Sequence, residues 1–213
     1  MPLSNYARDR FVAPELSKFT SATIPDMSAV DSQQEHWLGN YVLNSLLRAE
    51  LPAPHRQQMF NFLRRSHNAF TAYGAARALT LEFLANSNRN LLIVDAITQW
   101  ETFLGHAWQA HCFLGANQPI WFKPGDGTVR QRLHALHTRA KHAEAAIQRG
   151  EFVGEAPLCV WLTPAGLRST ETELTFEEAA EVLRGLAQMA AIVQDPVTMR
   201  DKLQRLADAD GSN

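Results

Sequence analysis

What the chain has little of sets its first bounds. Cys112 and Cys159 are the only cysteines in 213 residues, which argues for free thiols over a disulfide framework. Each stands in apolar sequence, so two buried free thiols and a cytoplasmic setting are expected. No stretch runs about 18 residues without a polar interruption, and residues 1–16, MPLSNYARDRFVAPEL, hold no apolar core of signal-peptide length. Neither a membrane span nor an export signal is expected. Charge of one sign is also lacking: 20 Lys plus Arg stand against 22 Asp plus Glu, a formal net charge of -2. That balance excludes the broad positive field of a general nucleic-acid coat, so any contact with nucleic acid must be local. A Walker loop, a G-x-G-x-x-G fingerprint, an H-E-x-x-H helix and a nucleophile elbow are all missing from the sequence. P-loop hydrolysis therefore has no support, and no cofactor is expected. Internal repeats and low-complexity tracts are missing too.

With 46% hydrophobic residues, a chain of this length buries a substantial core and is expected to form one domain over 31–209. Residues 1–30, with Pro2, Pro14 and Pro25 and no sustained helical period, are expected to form an extended or partly ordered arm. A capping box at Ser32 and Glu35 introduces a helix carrying Trp37, Leu38, Tyr41, Val42 and Leu46 at helical spacing, ending before Pro52. After Pro54, Met59, Leu63, Phe70, Leu81 and Leu84 trace a long helix to about Ala85, with Gly74 as its weak point. A third long helix aligns Ile93, Ile97, Trp100, Leu104, Trp108 and His111, widened by Phe103, Ala107 and Leu114. The loop from Gly115 to Gly127 surrounds an apolar Ile-Trp-Phe cluster. Residues 158–163 and 167–174 read as a short strand pair around Pro164-Ala-Gly166. A capping box at Thr175 and Glu178 then opens a helix with Phe176, Ala180, Leu183, Leu186, Ala187 and Ala190 inward. Asp195 and Pro196 start a last helix to about Ala207. The sum is a mainly α protein, a bundle of five or more helices with a small β-hairpin insertion.

Residues 128–148, TVRQRLHALHTRAKHAEAAIQ, carry the functional lead. Thr128 and Gln131 form a possible capping box and Gly150 closes the helix. Leu133, Leu136, Ala140, Ala143 and Ile147 fall on one stripe, while Arg130, His134, His137 and Lys141 form a separate row, expected roughly opposite it. Imidazole exchanges protons near neutral pH, and guanidinium and ammonium groups bind phosphate, so the row suits an anionic or phosphodiester substrate. Arg139 and His142 flank it. Glu101, bordering the apolar face of the preceding helix, is placed to orient an arginine or histidine of the row. His134 and His137 share a face, yet beyond Glu144 no third ligand stands near, so no metal site is expected. Trp37, Trp100, Trp108, Trp121 and Trp161 are scattered at core-compatible positions and read as packing residues.

An arginine followed after four to six residues by histidine, present as Arg132-x4-His137 and Arg130-x6-His137, resembles the signature of the HEPN superfamily. Residues 136–142 resemble an N-x-x-K-H variant of bacterial members. Val160-Trp-Leu-Thr-Pro-Ala-Gly-Leu167 and Leu174-Thr-Phe-Glu-Glu178 are similar to their W-[LI]-T-x-x-G-L and [LS]-T-F-x-E segments. The resemblance covers about residues 88 to 190. It implies a helical bundle that forms a homodimer, with Arg and His of both protomers in one cleft. It also implies an RNA-binding protein or metal-independent endoribonuclease, in a toxin or phage-defence setting. His137 is then the catalytic histidine, and the arginine is Arg130 or Arg132. Arg130 and His137 lie about 20° apart around the helix and roughly 10 Å along it, whereas Arg132 diverges by about 140°. Active members usually place a small polar residue after the arginine, while this chain has Gln131 or Leu133. The alternative implied is a catalytically inactive dimerisation module, or one docking on a nucleotidyltransferase-type antitoxin partner.

Overall fold

The computed structural model describes residues 3–31, 34–47, 51–86, 89–115, 125–195 and 197. Mainly helical, it is organised around two long antiparallel helices, α4 (Ala53–Ala85) and α5 (Asn90–Leu114), which precede the functional lead. Pro54 stands in the first turn of α4, where its missing N–H leaves no bond unmade. The helix then runs unbroken through Gly74, so the expected weak point does not interrupt it. Between the two helices the Trp100 indole donates to Thr80 Oγ1 at 3.0 Å. Tyr73 meets Trp100 and Phe103 edge-on at 5.2 and 5.6 Å. These rings, with Ile93, Ile97, Leu104 and Ala107, form the buried centre.

The expected N-terminal arm does more than extend. It forms α1 (Asn5–Phe11), a 3-10 turn (Leu16–Lys18) and, past an extended run, a single turn α2 (Ser28–Asp31). Leu16, Phe19, Ile24 and Met27 are buried in the core, and Tyr73 donates to the Pro25 carbonyl at 2.9 Å. Apolar residues spaced too irregularly for one helix still find a common groove when the chain is extended. Helix α3 (Trp37–Leu47) buries Trp37 and Tyr41 but leaves Val42 and Leu46 on its outer side. Part of its predicted stripe is thus exposed. The capping box at Ser32, the Ile-Trp-Phe cluster, Trp121 and the last predicted helix beyond residue 197 fall outside the described residues. Asp195 does accept from the Val197 N–H at 3.0 Å, as an N-cap should.

The predicted basic helix is two helices, α6 (Val129–Lys141) and α7 (Ala143–Gln148), which meet at His142. Thr128 caps the first, accepting from the Gln131 N–H at 3.3 Å. At the break the Arg139 carbonyl, which would accept from Ala143 in an unbroken helix, accepts from Cys159 Sγ at 3.4 Å. Past the break Ile147 turns outward, 61% exposed, and leaves the predicted apolar stripe. Gly150, at φ 68°, terminates α7.

The expected strand pair gains a third member. Strands β1 (Trp161–Leu162), β2 (Gly166–Arg168) and β3 (Glu173–Thr175) form an antiparallel sheet in that order, with Leu162 opposite Leu167 and Leu167 opposite Leu174. Thr163 Oγ1 accepts from the Gly166 N–H at 3.1 Å and tightens the first turn. Helix α8 (Phe176–Val193) opens on the full capping box between Thr175 and Glu178. Its six predicted inward residues are all buried. Among the described residues no helix is long and apolar enough to cross a membrane.

Candidate functional site

The row on α6 lies along α5. At 100° per residue the mean direction of Arg130, His134, His137 and Lys141 stands only about 100° from that of Leu133, Leu136 and Ala140. The row therefore borders the apolar stripe and does not oppose it. Leu133 and Leu136 are fully buried, and seating them presses the neighbouring row against α5. The seam is antiparallel. A Cβ built on Gly105 would lie 3.6 Å from Cε1 and Nδ1 of the His137 ring, so the missing side chain makes room for the imidazole. One turn along, the His134 ring meets the Trp108 ring at 4.3 Å, tilted by 37°. A further turn brings Arg130 beside His111, while Lys141 at the other end is exposed.

The electrostatics follow from this half-buried placement. Burial pushes the His137 imidazole below its ordinary range, and Lys141, His134 and His142 push it the same way. Burial alone lowers His134. His111 is driven down to about 4, first by burial and then by the Arg130 charge. Near neutral pH the seam thus holds uncharged imidazoles beside a guanidinium, the state in which imidazole accepts a proton.

The other predicted site residues go elsewhere. Arg132 pairs with Glu178, the residue that also completes the cap of α8, and donates to the Gly127 carbonyl. It ties the start of α6 to the start of α8 and is not beside His137. Arg139, only 15% exposed, pairs with Glu151, which Arg149 also binds. These two arginines hold the Glu151 carboxyl at about 2. Arg139 and Arg149 line an open cleft of about 470 Å³ with His134, His142 and Thr138, on the side of α6 turned from His137. His142 is exposed at the helix break. Glu101 orients nothing: among the described residues it makes no hydrogen bond or ion pair, and burial raises it to about 7. Its carboxylate acts on the Cys159 thiol, which burial raises first and Glu101 raises further. Cys112 is exposed, not buried as expected, because it falls on the outward ridge of α5 with Thr98 and Thr102; Cys159 is buried.

The sequence reading missed Arg64, Arg65 and His106, on the other flank of that ridge. Arg65 Nη1 stands 3.0 Å from His106 Nδ1. A signal was present: residues 53–81 contain four arginines and no carboxylate. Neither a protein-family model, nor a curated protein, nor a solved structure matches the chain.

Proposed function

We propose that this is a cytoplasmic, HEPN-like RNA-directed protein, a metal-independent endoribonuclease of a toxin or phage-defence kind. Its catalytic pair is Arg130 and His137 on α6, with His134 and Lys141 binding the substrate. One observation carries the reading: a half-buried, uncharged imidazole and a guanidinium share one side of a single helix, in a seam with further imidazoles. In that reading His137 takes the proton of an RNA 2′-hydroxyl, whose oxygen attacks the adjacent phosphorus. Arg130 balances the charge gathering on the phosphorane oxygens. The 5′ oxygen departs with the proton His137 returns to it, leaving a 2′,3′-cyclic phosphate and a 5′-hydroxyl. Arg132 and Arg139 hold the fold and take no part.

The test is incubation of single-stranded and transfer RNA with the purified protein in EDTA, with analysis of the ends formed. Cleavage to cyclic phosphate ends, abolished in His137→Ala and Arg130→Gln but retained by Arg132→Gln per folded molecule, supports the reading. Cleavage that persists in His137→Ala at an unchanged circular-dichroism spectrum sinks it.

A second reading, a catalytically inactive dimerisation or docking module, is favoured by a different feature. Helix α3 exposes Leu43, Leu46 and Leu47 at 54%, 78% and 73%, an apolar face of the kind that contacts a second copy or a nucleotidyltransferase-type antitoxin partner. Sedimentation of Leu46→Glu against the parent chain tests it. A dimer unaffected by that substitution excludes α3 as its contact.

A further inference from the structure

Most described arginines answer to a carboxylate: Arg10 to Glu155, Arg77 to Asp26, Arg89 to Glu82, Arg132 to Glu178, Arg139 to Glu151, Arg168 to Glu15 and Arg184 to Glu177. Arg64 and Arg65 do not. These neighbours on α4 have no ion pair among the described residues, although both are half-buried. Arg64 Nη2 donates to Asn61 Oδ1 at 2.9 Å, and Arg65 Nη1 to His106 Nδ1 at 3.0 Å.

Guanidinium only donates, so His106 Nδ1 is the acceptor and the ring proton sits on Nε2, leaving a second donor unused. Among the described residues Arg65 Nε is buried without a hydrogen-bond partner. Two guanidiniums and an imidazole thus converge on neutral acceptors, with no carboxylate paired to them among the described residues. Leaving a buried charged donor unsatisfied is costly, and an anion relieves that cost.

The position of the cluster relates it to the α6 row. His106 and Gly105 are consecutive residues of α5, and the first meets Arg65 while the second meets His137. The two basic groups therefore flank the same outward ridge of α5, on which Thr98, Thr102 and Cys112 are exposed. A helix diameter of about 10 Å separates them. One acid, the exposed Asp95, stands on this ridge, three residues before Thr98 and roughly 16 Å along the helix from His106; the stretches that carry the two basic groups are free of acid. Residues 53–81 and 102–125 hold no Asp or Glu, and 127–143 likewise hold none. A chain of net charge -2 thereby carries a local surface that attracts polyanions.

We propose that Arg64 and Arg65, with His106, form a second phosphodiester-binding site, which holds the backbone of the same single-stranded RNA that reaches Arg130 and His137 across the α5 ridge. It rests on the RNA-directed reading above. Phosphates bound there fix the register of the strand, while the α6 row acts on it.

The test is fluorescence anisotropy of labelled single-stranded RNA on the full chain over a range of salt. Arg64→Gln with Arg65→Gln weakens binding at least tenfold at moderate salt. It also flattens the slope of log affinity against log salt by roughly 1.4, at about 0.7 per single-strand phosphate contact. Arg184→Gln, a paired surface arginine, leaves affinity unchanged. Should the double variant fail to fold, Arg64→Gln alone carries the same test, since its side chain holds only Asn61. Unchanged affinity and slope in a folded variant overturn the site while leaving the Arg130–His137 reading intact. Binding lost in the variant, in a parent chain that never cuts RNA, keeps the site and overturns the nuclease. A parent chain that binds no RNA overturns both. A polyglutamate peptide bound as tightly as RNA overturns the phosphodiester assignment, as does full displacement of RNA by an equal concentration of inorganic phosphate.

Discussion

His111 gives the sharpest physical test of the α5–α6 seam. Its ring is held at about 4, by burial first and the Arg130 charge second, and among the described residues its Nε2 is buried without a hydrogen-bond partner. An unfolded chain protonates the same ring near 6.5. Between those values the unfolded state binds a proton that the folded state refuses, so stability rises with pH across that window. The contribution is complete above about 6.5 and is lost as pH falls towards 4. A gap of about 2.5 units at about 1.36 kcal/mol each, less the part still untitrated at the lower end, amounts to about 3 kcal/mol at pH 4. His111→Leu removes the titration and keeps a similar volume. It also deletes an unsatisfied buried nitrogen, so the variant is expected to match or exceed the parent at pH 7. Urea unfolding of both proteins at half-unit steps from pH 7 to pH 4 is the assay, because every other titrating group is common to the pair. The variant should gain about 3 kcal/mol on the parent by pH 4. Parallel curves would refute the burial of His111 beside Arg130, and with it the packing of the seam.

Other residues carry tests of opposite sign. Glu101 is an acid raised to about 7 by burial, so the folded state resists its ionisation and regains stability as pH falls through 7 towards 4.5. Discounted for its partial exposure, Glu101→Gln should stabilise by about 1–2 kcal/mol at pH 8 and by little at pH 5. A pH-independent difference in denaturant unfolding contradicts that assignment. Gly105→Ala places its Cβ in ordinary contact with His137, at 3.6 Å, and removes a helix-weakening glycine. Its midpoint should rise by the equivalent of about 0.5–1 kcal/mol, whereas a fall means the His137 ring sits closer than described. Gly166→Ala drives a Cβ to 2.1 Å from the Leu174 carbonyl oxygen and 2.6 Å from Thr175 Cα, forcing β2 from β3. A loss of about 3 kcal/mol is expected from this overpacking, and a loss below about 1 kcal/mol would show that the strands do not approach so closely.

Much of the bundle was legible because the signals were local. Thr175 and Glu178 cap α8 through residues three apart, and the inward stripe from Phe176 to Ala190 follows one period along one helix. The same held for α5, whose wide apolar face from Ile93 to Ala107 is the buried centre. Where a distant residue intervened, the reading went astray. Cys159 donates to the Arg139 carbonyl where the basic helix breaks at His142, and Glu178 claims Arg132 from 46 positions away. The outward ridge of α5 exposes Cys112 within a run that looks apolar. The Arg64–Arg65–His106 group spans 41 positions between Arg65 and His106, so no local spacing announces it.

By itself, then, the sequence determined the long helices α4, α5 and α8, the caps at Thr128 and Thr175 and the composition of the Arg130–His137–Lys141 row, because hydrogen-bond capping and hydrophobic period act within a few residues. The tertiary structure alone decided which neighbour each charged side chain meets. It pressed the row into a half-buried seam against Gly105 and Trp108, diverted Arg132 and Arg139 to carboxylates, and left Arg64 and Arg65 without one among the described residues. Burial and charge pairing depend on distances through space, and those are set only when the helices pack.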